Sequence, residues 1–82
     1  MRTKKLLMAT LARRTRDAVE HVHAGDCEGA GRHIDGAQLA LDLMLRHRDK
    51  LRVTDAEAAA SVARVRKVLT YSLNRCFGPM HG

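Results

Sequence analysis

Aromatic side chains are nearly missing from this sequence. Tyr71 and Phe77 stand alone and there is no tryptophan, so the chain has no platform on which successive nucleic-acid bases would stack. Proline occurs once, as Pro79, and leaves the rest of the chain free to form unbroken helices. Runs of Val, Ile and Thr are absent, which removes the usual signal for strands. Two cysteines, Cys27 and Cys76, do not make a disulfide framework and suit a reducing compartment. No stretch approaches the roughly 18 apolar residues of a membrane span. The opening MRTKKLLMATLARR imitates a signal peptide, but its apolar run from Leu6 to Ala12 is at the short limit and basic residues follow directly. The expectation is a soluble, cytoplasmic protein.

What is present favours helices. Ala and Leu dominate the composition, and both are strong helix formers. The 82 residues leave room for one domain, 1–82. A domain this small buries only roughly 60–65% of the surface its unfolded chain exposes, which leaves partners or self-association as sources of extra stability. The formal net charge of +6 keeps nucleic acid, an acidic protein or a membrane surface open as partners, beside plain solubility.

Periodicity divides the chain into three helices, at about 3–24, 26–49 and 54–77. Leu7, Leu11, Thr15, Ala18 and Val22 recur at spacings of three and four on the first, widened by Leu6, Met8 and Val19. Gly25 is a natural stop, and Asp26 follows as an N-cap. The second helix carries a seam of Ala30, Ile34, Ala37, Leu41 and Met44, with Leu39, Leu43 and Leu45 around it. Its Gly29, Gly31 and Gly36 weaken a helix but permit close approach by a neighbour. The third opens on Thr54-Asp55-Ala56-Glu57, the signature of a capping box. Its seam is Ala58, Val62, Val65, Leu69, Ser72 and Cys76, and Phe77-Gly78-Pro79 ends it. Short corners join antiparallel neighbours, so the expected fold is all-α: a three-helix, antiparallel, up-down-up bundle.

That topology brings Cys27 and Cys76 to matching heights, with His21 and His23 at the same end. His23, Cys27 and Cys76, with His33 or His81, are side-chain types that suit a tetrahedral zinc site. No C-x-x-C or H-x-x-x-H pair is present, however, and His21 and His23 point to different sides of a helix. A Cys27–Cys76 disulfide is geometrically conceivable. The reading preferred on the reducing compartment is two thiols acting as small apolar fillers, with solvated histidines and neither a metal nor a cofactor. No nucleophile, base and orienting group fall together, and GAG at 29–31 lacks the remainder of a phosphate loop. The chain is therefore read as non-catalytic.

Two surfaces remain. Arg2, Lys4 and Lys5 open the first helix, and Arg46, Arg48, Lys50 and Arg52 surround the second corner. Up-down-up topology puts both groups at one end, where they would hold phosphates. The alternative function is accordingly a small basic nucleic-acid-binding bundle. The favoured one rests on apolar surplus: the second and third helices carry more than one stripe. Leu39, Leu43, Val68, Tyr71 and Leu73 are candidates to line a groove for a partner helix or a self-association face in a homo-oligomer.

The second helix and its approach resemble the FliS family of flagellar export chaperones. The resemblance rests on Gly25-Asp26, Ala30, Ile34, Ala37-Gln38 and Met44, on Leu6–Met8, and on Val68-Leu69-Thr70-Tyr71 with Leu73, where one aromatic of the family's pair is kept. It covers about residues 6–77 and is specific around 25–44. It implies a cytoplasmic chaperone or adaptor that shields a helical segment of a secreted, flagellin-like subunit during type III export. Members of that family carry a further helix after the Tyr segment, so the resemblance implies a trimmed variant.

Overall fold

In the computed structural model the backbone is described for residues 2–78 and the side chains for residues 3–78. The Arg2 side chain and His81, both named above, lie outside the described residues. All regular structure among those residues is helical: α1 (Arg2–His23), α2 (Cys27–Arg46), α3 (Arg48–Leu51) and α4 (Asp55–Cys76). None of the helices is long and apolar enough to cross a membrane.

Each boundary has a local cause. Gly25 takes φ +81, and the Asp26 and Gly25 amides donate to the carbonyls of His21 and Val22. That six-to-one, five-to-two pair ends α1 as a Schellman motif. The Asp26 carboxylate then accepts from the Gly29 amide and caps α2. Glu57 and Thr54 complete the reciprocal capping box at the start of α4.

One expectation needs correcting here. The second helix does not run to residue 49; it stops at Arg46, and a single-turn helix, α3, follows. His47 (φ −109, ψ 30) leaves helical geometry. The reason for the break lies further on. Leu51 and Val53 are both buried against the core, and a continuing α2 would carry them past the end of it. Arg52 bridges them in the left-handed region at φ 57, a conformation that disfavours a non-glycine residue. Its amide donates to Asp49 and the Val53 amide to Arg48, so the same Schellman pairing recurs without a glycine. Two buried side chains offset the local strain.

The core is built of Leu11, Ala37, Ala40, Met44, Leu51, Val53, Ala58 and Val65, with Leu7, Met8 and Leu41 packed against it. Met44 and Thr15 are its largest fully enclosed side chains. α1 and α2 share the most extensive contact, and α4 lies less closely on both. Gly36 lets the Arg14 side chain lie across α2, with Arg14 Nε 3.1 Å from where a Cβ would stand. Gly29 is required for another reason: a Cβ there would collide with the Asp26 carboxylate and sit 2.7 Å from His21 Nδ1. Gly31 faces open space and has no packing role.

Candidate helix-binding groove

α1 and α4 face each other across an open groove. Met8, Ala12, Thr15, Val19 and His23, spaced three or four residues apart and so on one side of α1, form one wall with Leu11 beside them. Ala56, Ala60, Arg64, Val68 and Tyr71 form the other. The groove exists because α4 presents alanines where longer side chains would bridge to α1. Ala56, Ala60 and Ala63 are all exposed, whereas Ala58 on the inner side is buried. The shallow hollow between Met8, Ala12, Ala56 and Ala60 offers about 400 Å³, open to solvent, and the one around Val19, His23 and Val68 about 370 Å³.

Contacts at both ends and at the middle hold the walls in register. At one end Lys4 Nζ lies 2.8 Å from Glu57 Oε1 and donates to the Arg52 carbonyl at 3.0 Å. The Lys4 ammonium and the Thr54 amide keep the Glu57 carboxyl below the usual carboxylate range. At the other end the rings of His23 and Tyr71 meet edge to face at 5.8 Å, and Arg75 lies over the Tyr71 ring. Midway, Arg64 Nε donates to Thr15 Oγ1 at 2.9 Å. Thr15 is 2% exposed, and its hydroxyl donates in turn to the Leu11 carbonyl at 2.9 Å. Arg16 and Lys67 stand on the rim with Glu20, two cations to one carboxylate.

The five candidate apolar residues do not share this groove. Val68 and Tyr71 line it. Leu73 lies five residues beyond Val68, about 140° further round α4, and is 47% exposed. Leu39 lies five residues from both Ile34 and Met44, about 140° from each buried position, and is 61% exposed. Leu43 is half-buried. Among the residues that sequence reasoning missed as groove-lining are Met8, Ala12, Ala56, Ala60 and Arg64. For Ala56 and Ala60 the one signal was the stripe of alanines at helical spacing on α4, which reads as ordinary helix-forming composition.

At the basic end, half of the six described cations are paired. Lys4 pairs with Glu57, Arg46 with Asp42 at 2.7 Å, and Arg48 with Asp55. Arg48 Nε also donates to the Val53 carbonyl. Lys5, Lys50 and Arg52 are exposed and make no ion pair among the described residues.

At the opposite end the expectation of two thiols is overturned. Cys27 and Cys76 form a disulfide, with Cα atoms 5.9 Å apart. The matching heights inferred from topology were enough to bring the sulfurs together, and the inference from compartment was the weaker guide. Both sulfurs are therefore committed to each other rather than to zinc. The histidine beside His33 is His21, at 4.8 Å between ring centres, and His23 turns instead to Tyr71. His21 Nδ1 donates to the Asp26 carboxylate at 2.8 Å. The Gly29 amide and then His21 hold that carboxyl below its ordinary range. Arg14 Nη1 donates to His33 Nδ1 at 3.2 Å, while Arg14 Nε is buried without a partner. Among the described residues no three His, Cys, Asp or Glu side chains are grouped so as to hold a metal ion.

Comparison with protein-family models, curated proteins and solved structures finds no match for this chain.

Proposed function

We propose that this protein is a non-catalytic helix-binding module, whose three long helices run up, down and up and present the α1–α4 groove to a partner. The observation that supports it most is the run of apolar side chains from Met8 and Ala56 to Val19 and Tyr71, open to solvent between two fixed walls. Two parallel walls of side chains suit a third helix, whose own ridges pack into the depression. A strand would leave its backbone groups unpaired there, since neither wall offers a sheet edge.

A chaperone or adaptor for a secreted helical subunit is the role that the Gly25–Met44 resemblance adds. Its mechanism would be burial of the apolar stripe of an amphipathic helix, shielding it from aggregation. Cytoplasmic residence, proposed from the cysteine count, sits poorly with a disulfide, because such bonds persist in oxidising compartments. Thiol trapping at the moment of lysis decides the compartment without touching the groove reading.

Selection from a display library of helical peptides tests the function. Peptides enriched on the wild-type chain should be amphipathic, and Ala60→Trp, which fills the groove from an exposed position, should abolish their binding. Leu39→Ala and Leu73→Ala should leave it intact. Enrichment that survives Ala60→Trp would reject the groove. Binding of a short DNA duplex that weakens steeply with salt would favour the nucleic-acid alternative.

A further inference from the structure

The floor of the groove is mainly apolar, with Lys4 and Glu57 closing one end, Arg16, Glu20 and His23 bordering the other half, and Arg64 crossing its centre. Arg64 touches the hollows on both sides of itself: Met8, Ala12 and Ala60 on one side, Val19 and Val68 on the other. Its Nε is fixed on Thr15, which is buried and anchored to α1. Its terminal nitrogens make no hydrogen bond or ion pair among the described residues. The guanidinium is thus oriented by one bond and has its fork of donors left over. A helix laid in the groove would cover that fork, and an uncompensated charge beneath an apolar surface is unfavourable. The occupant must supply an acceptor, and the group that matches a planar guanidinium is a carboxylate.

We propose that the groove selects an amphipathic helix from another protein that carries an Asp or Glu at the centre of its apolar stripe, read by Arg64. This rests on the groove reading and adds the chemistry of its occupant. The spacing follows from α4. Ala60 and Val68 lie one turn either side of Arg64, so the occupant presents apolar residues three or four positions before and after its acid. Arg16 and Lys67 on the rim favour further acidic residues along the helix flank, except beside Glu20. From Glu57 to Tyr71 the groove accommodates about four turns, or roughly 21 Å of helix.

The probe is a stapled synthetic helix of roughly 18 residues, long enough to hold helical form, with leucines three and four positions either side of a central Glu. A control has Gln in place of that Glu. Titration calorimetry of both against wild type and Arg64→Gln gives a double-mutant cycle. Arg64 is exposed, and circular dichroism confirms that the variant folds. The expected result is that wild type binds the Glu helix about tenfold tighter than the Gln helix, and that Arg64→Gln removes the preference. Equal affinity for the two helices, with both lost in Ala60→Trp, would overturn the carboxylate inference and leave the groove standing. No binding of either helix would sink both. A solution mass above 9.1 kDa for the chain alone, abolished by Ala60→Trp, would make a second copy the occupant and overturn the proposal.

Discussion

Cys27 and Cys76, separated by 49 residues, are joined at one end of the molecule with their Cα atoms 5.9 Å apart. The bond ties the first residue of α2 to the last of α4, and so clamps the pair with the least contact among the three long helices. A loop of this length removes much of the unfolded chain's freedom. The chain-entropy relation gives about 4 kcal/mol for it, a large share of the stability of any small domain.

Reduction should therefore be costly. A dithiol, or the pair Cys27→Ser and Cys76→Ser, should lower the thermal midpoint by roughly 15–30 °C in a chain of this size. Calorimetry with and without reductant measures it, and superimposable melting curves would show that the bond carries no stability.

The glycines of α2 separate by what surrounds them. Gly31 meets nothing within 4 Å, whereas a Cβ at Gly29 runs into the Asp26 cap. Gly31→Ala should stabilise the fold by about 0.5–1 kcal/mol. Gly29→Ala should destabilise it by about 1–3 kcal/mol through overpacking. Denaturant midpoints of the two variants should move in opposite directions.

Core and surface leucine-sized side chains should differ as sharply. Met44 is wholly enclosed and Leu39 is 61% exposed. Met44→Ala is expected to lose about 2–5 kcal/mol, and Leu39→Ala to stay within about 0.5 kcal/mol of wild type. Equal losses at the two sites would place Leu39 under cover that α1, α3 and α4 do not provide.

Helix caps make the fold acid-sensitive. The Gly29 amide and His21 depress the Asp26 carboxyl, and Lys4 and the Thr54 amide depress that of Glu57. A carboxyl depressed in the folded chain adds stability that is complete above its unfolded pKa of about 4 and is lost as pH falls through the lower folded value. The thermal midpoint should therefore decline below about pH 4. Asp26→Asn and Glu57→Gln should each flatten the decline. A midpoint unchanged by acid in the wild type would remove both caps from the stability account.

Local signals in the sequence carried the helix termini well. Gly25, Asp26 and the Thr54–Glu57 pair act through bonds within a few residues, so their chemistry can be read without a partner helix. The break at His47 could not be read that way, because it serves Leu51 and Val53, whose burial is decided by packing across the bundle. Counting large apolar residues also misdirected the search for a site. Leu39 and Leu73 stand out in sequence but project away from the groove. Ala12, Ala56 and Ala60 build the groove by being too short to fill it, a property that hydrophobicity alone does not register. The disulfide was legible as geometry and obscured by an assumption about compartment.

Docking in the α1–α4 groove is tested most directly by amide chemical-shift mapping of the labelled chain, titrated with the Glu-bearing stapled helix. The largest shifts are expected at Ala12, Thr15, Val19, Ala60, Arg64 and Val68, with Leu39, Leu43 and Leu73 unmoved. Saturable shifts centred on Leu39 and Leu43, with Ala60 and Val68 silent, would contradict it.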